Sequence, residues 1–255
     1  MTSMFDLSGR RALVTGASSG LGHHFALTLA RQGAELIVAA RRADKLQALV
    51  GEIVAAGGKA HAVALDVTDA ESVKAGFDAI EAQGGVADII INNAGTTTSK
   101  PALQQTEDDW EMVVDTNLGG VWRVAQEAGK RLVAAKRHGA IVNIASILAL
   151  RVAGAVAPYA ASKAGVLQLT KSLALEWARY GIRVNALAPG YFVTDLNQDF
   201  LLSEPGQKLM SRVPQRRFGT LDQLDGPLLL LASEAGSYIT GEILAVDGGH
   251  LVSSL

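Results

Sequence analysis

The chain has 255 residues, of which 49% are hydrophobic, 19% charged and 5% aromatic, which excludes a disordered or fibrous protein. A formal net charge of −2 without a long basic run argues against a nucleic-acid partner. The absence of cysteine excludes disulfides and thiolate chemistry, and the five histidines lack zinc-type spacing, so we expect no metal.

The first segment, residues 1–11, contains Asp6, Arg10 and Arg11 and lacks the apolar core of a signal peptide. The longest apolar stretches, such as residues 228–232, fall far below the roughly 18 residues that suggest a membrane span. We therefore expect a cytoplasmic protein with no membrane partner.

Short apolar runs alternate with amphipathic segments along the chain. Several runs are apolar at consecutive positions, which is typical of parallel strands covered on both faces. The segment 43–56 is typical of a crossover helix, because Leu46, Leu49, Val50, Ile53 and Val54 fall on one helical face. The alternation predicts an α/β fold, a doubly wound parallel sheet of seven strands with helices on both faces. The strands are predicted at 12–14, 36–40, 62–65, 89–91, 141–144, 183–187 and 243–246.

The chain shows no internal division that would mark a second domain. No linker rich in Pro, Gly or Ser, no repeat and no low-complexity tract interrupts it. Residues 197–217 are a polar interruption before the last helix and strand. We predict a single domain over 1–255 with an insertion around 191–217.

A glycine-rich segment, Thr-Gly-Ala-Ser-Ser-Gly-Leu-Gly at residues 15–22, follows the first predicted strand and opens a helix with apolar Leu21, Phe25, Leu27 and Leu29. Glycine permits positive φ and lets the backbone approach a pyrophosphate, whose charge the amides of a helix N-terminus stabilise. The spacing differs from the general Gly-x-Gly-x-x-Gly fingerprint, and a plain strand-to-helix turn is the alternative. The context favours a dinucleotide ligand.

Further motifs follow in order along the chain. They are Asn-Asn-Ala-Gly at 92–95, Tyr-Ala-Ala-Ser-Lys at 159–163, Pro-Gly at 189–190, Thr-Gly at 240–241 and Asp-Gly-Gly at 247–249. With the glycine loop, they resemble the short, single-domain branch of the short-chain dehydrogenase/reductase family, over residues 7–249. The resemblance implies a Rossmann-type catalytic domain that binds NAD(P) and transfers a hydride between a ketone and a secondary alcohol. The substrate is then a small molecule, and the insertion around 191–217 is the substrate loop.

The resemblance assigns catalysis to Asn117, Ser146, Tyr159 and Lys163. Tyr159 and Lys163 are four residues apart on a predicted helix, so both project from one face, and the ammonium is expected to lower the phenol pKa from about 10. Ser146 follows the fifth predicted strand, where its hydroxyl can bind the substrate oxygen. The family's equivalent of Asn117 holds a water that relays protons. A helix cap at Ser146 and a structural amide at Asn117 are the alternatives.

The same resemblance implies the residues that contact the cofactor. The pair at 66–67 is expected beside the adenine, the segment at 93–95 along the adenosine ribose, and Pro189 to Thr194 at the nicotinamide. Each position could instead be an ordinary turn residue. The full set is Gly16, Ser18, Ser19, Gly20, Leu21, Gly22, Arg41, Asp66, Val67, Asn93, Ala94, Gly95, Tyr159, Lys163, Pro189, Gly190, Val193 and Thr194.

The end of the second predicted strand indicates which cofactor is preferred. Ala40 stands where an NAD enzyme of this type has Asp, and Arg41 and Arg42 follow. Two arginines at a helix N-terminus are electrostatically unfavourable unless an anion binds there; two solvated surface residues are the alternative. We expect NADP(H) to be favoured and NAD(H) to remain possible. The preference is expected to be modest, because Ser19 stands where many NADP(H) enzymes of the family have Arg or Lys.

Two other functions compete with this prediction. A non-catalytic nucleotide-binding or regulatory protein on the same fold would be expected to lose catalytic residues, and all four are present. A lyase-type relative would lack the glycine loop and the lysine.

The sequence leaves the substrate open. The segments around the catalytic residues are uncharged apart from Arg151, which indicates an apolar-walled pocket, and the late insertion carries Arg212, Arg216 and Arg217. These arginines are either solvated or directed at an acyl-carrier or coenzyme A phosphate. The chain resembles both 3-oxoacyl carrier-protein reductases and sugar-acid dehydrogenases.

Short members of this family commonly form tetramers, so the resemblance implies a homotetramer. The helix after Thr106 and the helix containing Tyr159 are candidates for one interface. Apolar residues near the C-terminus are candidates for another, because a monomer would expose them. They are Leu244, Val246, Leu251, Val252 and Leu255.

Overall fold

The computed structural model describes residues 4–194 and 197–253, and these form one α/β unit built on a parallel sheet. The order of its seven strands is β3-β2-β1-β4-β5-β6-β7. All seven predicted strands are confirmed. Their bounds are β1 Arg11–Thr15, β2 Glu35–Ala40, β3 Lys59–Ala64, β4 Ile89–Asn92, β5 Gly139–Ile144, β6 Ile182–Pro189 and β7 Ile243–Val246.

The strand order reverses beside β1, which pairs with β2 on one side and β4 on the other. At such a reversal the following connections diverge to opposite faces of the sheet, which leaves a crevice at the carboxyl ends of the strands. β1, β4 and β5 are buried at every position, as their uninterrupted apolar runs require. The crevice therefore lies over the most completely buried strands of the sheet.

Helices cover both faces of the sheet and create a core on each. One core includes Phe25, Leu49 and Leu228. The other includes Phe77 and Leu132. The helices are α1 Gly20–Arg31, α2 Ala43–Ala55, α3 Ala70–Ala82, α4 Glu107–Val114, α5 Gly120–Ala134, α6 Ala157–Trp177, α7 Gln198–Leu202, α8 Glu204–Met210 and α9 Asp225–Ala232.

The predicted crossover helix at 43–56 forms as α2, but one of its assigned core positions is wrong. Leu46, Leu49 and Ile53 are buried, whereas Val54 is 54% exposed. Val54 is rotated by about 100° from Ile53 around the helix axis, which turns it away from the sheet. The apolar stripe of α2 is narrower than the sequence pattern indicates.

The polar segment after β6 contains two short helices, α7 and α8. Its base is closed by a bridge between Phe192 and Gly219, where the Gly219 amide donates to the Tyr191 carbonyl at 2.9 Å. The segment therefore leaves the sheet after β6 and returns to the same point before α9.

Candidate active site

The glycine-rich loop lies at the carboxyl end of β1, packed against the segment that follows β4. Gly16 has φ +64°, and a Cβ there would lie 2.8 Å from the Ala94 Cα; a Cβ on Gly22 would lie 2.4 Å from the Gly16 carbonyl oxygen. Gly20 has φ +57° and open space where a Cβ would be. Two of the glycines thus allow close backbone packing, and the third keeps the start of α1 clear.

Thr15 holds these two loops together, a role that the sequence analysis did not assign to it. Its hydroxyl accepts hydrogen bonds from the amides of Asn93 at 3.1 Å and Ala94 at 3.2 Å, and donates to the Ile91 carbonyl. The Asn93 side chain donates to the carbonyls of Thr15 and Gly16. Thr15 is the first residue of the glycine motif, but its contacts with β4 and the segment after it are formed only in the folded protein.

The start of α1 fits the pyrophosphate of a dinucleotide. Ser19 is the N-cap and its side chain makes no capping hydrogen bond, and the first turn of α1 contains no acidic residue. Uncapped first-turn amides and the open space at Gly20 provide both the donors and the room that a phosphate requires.

The two arginines after β2 point in different directions. The Arg42 guanidinium donates to the hydroxyls of Ser18 at 2.8 Å and Ser19 at 3.4 Å, so it covers the glycine loop. Arg41 instead lies near Asp66. The pKa of Asp66 is lowered mainly by a hydrogen bond from the Thr68 amide, and the positive charge of Arg41 contributes. The sequence analysis selected Arg41 alone as the cofactor contact.

Tyr159 and Ser146 meet across the crevice. Burial raises the pKa of Tyr159, and the nearby Ser146 side chain partly offsets that rise. The Ser146 hydroxyl also accepts from the Leu148 amide at 3.1 Å, so it caps the turn Ile147–Ala149 as well. The cap at Ser146, which the sequence analysis gave as the alternative to catalysis, is therefore present. It holds the Ser146 hydroxyl in place beside Tyr159.

Lys163 lies below the Tyr159 ring, with its nitrogen 5.8 Å from the ring centroid. It donates to the Ile144 carbonyl at 2.7 Å, and burial lowers the pKa of Lys163 to about 8. The expected lowering of the Tyr159 pKa is not found, because burial of the phenol outweighs the other influences on it. The ammonium is nevertheless on the predicted helix face, one turn from Tyr159.

Asn117 is fully buried in a π-helical turn, Asp115–Gly119, between α4 and α5. Its side chain accepts from the Thr96 amide at 2.8 Å and donates to the Thr96 carbonyl at 2.9 Å and the Ser162 hydroxyl at 3.1 Å. Ser162 in turn donates to the Tyr159 carbonyl at 2.8 Å. The amide is thus tied to the helix that carries Tyr159, through a serine that the sequence analysis quoted without giving it a role.

The segment after β6 forms the opposite wall. The Gly190 amide donates to the Val246 carbonyl at 2.8 Å, and a Cβ on Gly190 would lie 2.8 Å from the Asp247 Cα. Thr194 donates its amide to the Asn197 side chain at 2.8 Å, while Val193 is exposed. Pro189 ends β6. These residues lie at the carboxyl edge of the sheet; their contact with the nicotinamide stays a prediction.

Two features are absent from the part of the chain that the structure describes. Within 4–194 and 197–253, no group of three or more His, Asp or Glu side chains is arranged to hold a metal ion. In the same ranges, no helix combines the length and apolar character needed to cross a membrane.

A doubly wound sheet with a glycine loop at its reversal point and a Ser–Tyr–Lys–Asn cluster beside it defines a dinucleotide-binding α/β protein. A family model described as enoyl-(acyl carrier protein) reductase matches residues 16–250. Since that model covers most of the sequence, the chain belongs to the short-chain dehydrogenase/reductase family.

Named relatives support the same family. Gluconate 5-dehydrogenase of Gluconobacter oxydans (strain 621H) is 40% identical over 251 residues, covering 98% of both chains. The 3-oxoacyl-(acyl-carrier-protein) reductase of Staphylococcus aureus (strain Mu50) is 40% identical over 241 residues, covering 94% of this chain and 97% of the other. A gluconate 5-dehydrogenase from Burkholderia cenocepacia J2315, solved with NADP and tartrate, has 38% identity and a TM-score of 0.94, with 98% of each chain covered.

Proposed function

We propose that this protein is an NADP(H)-dependent oxidoreductase that interconverts a ketone and a secondary alcohol, with Tyr159 as the acid/base. The observation that carries the proposal is the position of the buried Lys163 nitrogen 5.8 Å from the Tyr159 ring centroid, with the Ser146 side chain near enough to Tyr159 to affect its pKa. The relatives named as gluconate dehydrogenase and oxoacyl reductase support a carbonyl–alcohol reaction. A purely nucleotide-binding protein would have no use for a buried lysine that costs stability.

The cofactor would supply or accept the hydride at the substrate carbon. In the reduction direction, the hydroxyls of Ser146 and Tyr159 polarise the carbonyl oxygen, and Tyr159 gives it a proton. Lys163 lies near enough to stabilise the resulting phenolate. Asn117 and Ser162 fix the turn of α6 from which Tyr159 projects.

The residues that would hold the cofactor are those predicted from the sequence, with two additions. Thr15 orders the loops on which the dinucleotide would lie, and Arg42 joins Arg41 at its ribose end. An NADP complex of a relative that is 38% identical supports the same ligand here. The predicted set remains Gly16, Ser18, Ser19, Gly20, Leu21, Gly22, Arg41, Asp66, Val67, Asn93, Ala94, Gly95, Tyr159, Lys163, Pro189, Gly190, Val193 and Thr194.

The preference for NADP(H) rests on charge at the end of β2. Ala40 offers no carboxylate to repel a 2′-phosphate, and two guanidinium groups lie within the following loop. Arg42, which follows β2, places a cation beside Ser18 and Ser19, where the glycine loop itself has none. Charge-assisted hydrogen bonds of this kind suit a phosphate dianion.

The single-domain organisation over 1–255 and the role of 191–217 as a substrate loop belong to the same proposal. The two ends of that segment meet at Phe192 and Gly219, beside the wall formed by Gly190. A small ketone or alcohol would reach Tyr159 past this segment.

The cytoplasmic location of the protein stays a prediction.

Replacing Tyr159 by Phe tests the proposal. The phenyl ring keeps the packing but removes the proton donor, so kcat is expected to fall by about 10²–10⁴-fold with cofactor binding retained. Oxidation of gluconate and reduction of a panel of ketones, followed by NADPH absorbance, measure turnover, and fluorescence titration measures cofactor binding. Tyr238→Phe is the matched control, because Tyr238 is fully exposed. Near-normal turnover of Tyr159→Phe would refute the assignment.

A further inference from the structure

Arg123, in the first turn of α5, joins two segments that the proposed reaction uses for different purposes. Its guanidinium donates to the Val67 carbonyl at 3.2 Å and to the Asp115 carboxylate at 2.6 Å. Val67 belongs to residues 66–67, which are predicted beside the adenine of the cofactor and which we call the adenine segment. Asp115 begins the π-helical turn that contains Asn117. One side chain therefore bridges the adenine segment and the turn of a proposed catalytic residue.

The π-helical turn 115–119 transmits the position of Asp115 to the catalytic helix. The Gly120 amide donates to the Asp115 carbonyl, which closes the turn. Asn117, two residues after Asp115, donates from its side chain to the Ser162 hydroxyl on α6 at 3.1 Å. A π-helical turn of this kind inside a longer helix is frequent at functional sites. A shift of Asp115 would therefore move the Asn117 amide and its contact with α6.

Two consecutive glycines leave room for the bridge. A Cβ on Gly119 would lie 2.7 Å from a carboxylate oxygen of Asp115 and 3.0 Å from a guanidinium nitrogen of Arg123. A Cβ on Gly120 would lie 2.7 Å from a methyl carbon of Val67. Both glycines have ordinary helical φ, −58° and −62°, so the backbone conformation does not require glycine. Because glycine weakens a helix relative to alanine, the close approach of the neighbouring side chains explains its presence.

The ion pair between Arg123 and Asp115 is too exposed to serve mainly as a source of stability. The two side chains are 27% and 42% exposed, and ion pairs in such positions contribute little to folding. A guanidinium holds its N–H groups in a rigid planar fork, so bonds to two different segments fix the position of one relative to the other. The bridge therefore constrains geometry more than it adds stability.

We propose that Arg123 is a positioning residue through which the adenine half of the cofactor acts on the turn of Asn117. This rests on the proposed function and adds that the adenine half raises kcat as well as tightening binding. Binding energy from a part of a ligand that is remote from the reaction can be used to order the reacting groups. Adenine bound beside 66–67 restricts that segment, and Arg123 then holds the Asp115 carboxylate in the one position that suits the proton-transferring residues on α6.

The cofactor can be supplied in two pieces to separate its halves. Reduced nicotinamide mononucleotide carries the hydride, and adenosine 2′,5′-bisphosphate occupies the adenine end. In the wild type, saturating bisphosphate is expected to raise kcat for ketone reduction by the mononucleotide by about tenfold. In Arg123→Gln, calorimetry should show bisphosphate binding within about threefold of wild type, whereas kcat should rise at most about twofold. Arg123→Lys keeps the charge but not the fork, so it should recover only part of the activation.

Hydrogen exchange measured by mass spectrometry tests the coupling without any turnover. Adenosine 2′,5′-bisphosphate is expected to slow the exchange of amides in 115–120 of the wild type and to leave them unchanged in Arg123→Gln. The adenine segment should be protected by the bisphosphate in both proteins. Protection that reaches 115–120 only when Arg123 is present would show that this side chain carries the coupling.

Gly119→Ala separates positioning from stability. Alanine suits the helical φ of Gly119, so Tm should be unchanged or higher. Its methyl group would displace the pair formed by Asp115 and Arg123, so activation by the bisphosphate should fall as in Arg123→Gln.

Arg131→Gln is the matched control, since Arg131 lies on the same helix but pairs with Asp78, Glu81 and Glu127. This change should lower Tm and leave activation by the bisphosphate as it is in the wild type. Loss of activation in Arg131→Gln would show that any weakening of α5 has the same effect, and would overturn the proposal.

Three further results would overturn the proposal and leave the proposed function intact. They are wild-type turnover that the bisphosphate does not raise, equal activation or equal protection of 115–120 in wild type and Arg123→Gln, and loss of bisphosphate binding in Arg123→Gln. Undiminished turnover by Tyr159→Phe with NADPH would instead contradict the proposed function.

Discussion

At the scale of single residues, Lys163 shows how far the site departs from what folding alone favours. The lysine is 4% exposed, and burial lowers the pKa of its ammonium from 10.5 to about 8. Between these values the unfolded chain binds more protons than the folded chain, so stability rises with pH over that window. Below pH 8 both states are protonated, and the charged lysine costs the fold about 3 kcal/mol.

Lys163→Met is therefore expected to lose activity and gain stability. The thioether fills a similar volume and carries no charge, so removing the buried ammonium should raise the free energy of unfolding at pH 7. The lost hydrogen bond to the Ile144 carbonyl offsets part of this gain, which leaves a net rise of about 1–3 kcal/mol. Urea unfolding of variant and wild type at pH 7 and pH 10 measures the difference, which should shrink at the higher pH. Lys171→Met on the exposed side of α6 serves as control. A variant less stable than wild type at pH 7 would contradict this account.

At the scale of elements, the loop between β2 and α2 is expected to decide the choice of cofactor. Removing both guanidinium groups, in Arg41→Gln with Arg42→Gln, should lower kcat/KM with NADPH by about tenfold or more, because each loses a charge-assisted bond to phosphate. The kcat/KM with NADH should change little. Steady-state kinetics with both cofactors measure the ratio, and Lys45→Gln on the exposed start of α2 is the control. A wild-type enzyme that already favours NADH would disprove the preference.

The elements also separate what the sequence could predict from what it could not. The central strands β1, β4 and β5 are buried on both faces and leave apolar runs in the sequence, whereas β3 and β7 are only partly buried; all seven were nevertheless predicted. Glycine and Tyr-x-x-x-Lys spacing marked the site. The direction of individual side chains could not be predicted from neighbouring residues. Arg41 and Arg42 are adjacent in sequence, yet their side chains lie near different partners. The bond from Asn117 to Ser162 spans 45 residues and depends on a π-helical turn, which has no recognisable local signal in the sequence.

At the scale of the whole molecule, the described surface retains apolar side chains on the helices of one face. Trp122 and Val133 are partly exposed on α5, and Leu175 is largely exposed on the adjoining helix α6. Trp110 and Met112 extend the set onto α4, which packs against α6. Exposed apolar surface on this scale is typical of an interface between copies of a chain.

The second predicted interface lies at the edge of the sheet. In the described ranges β7 pairs only with β6, so its outer edge is open, and an open edge is a site at which another chain can pair. Val252 is largely exposed, whereas Leu244, Val246 and Leu251 are partly buried; Leu255 lies outside the described residues. Two separate interfaces of this kind are what a tetramer with two-fold axes requires.

We therefore expect a homotetramer, and charge placed on the helical face should break it. In the double variant Trp122→Glu with Leu175→Glu, the interface on the helical face would bury carboxylates that have no partners. The free energy needed to bury them exceeds what an apolar contact of ordinary size can offset. Light scattering coupled to size exclusion at micromolar concentration should give four copies of the 26.6 kDa chain for wild type and fewer for the variant. Tyr238→Glu, on a fully exposed residue outside α5 and α6, should leave the mass unchanged. A wild-type mass of 26.6 kDa would contradict the assembly, because the apolar helical face would then be stable in water.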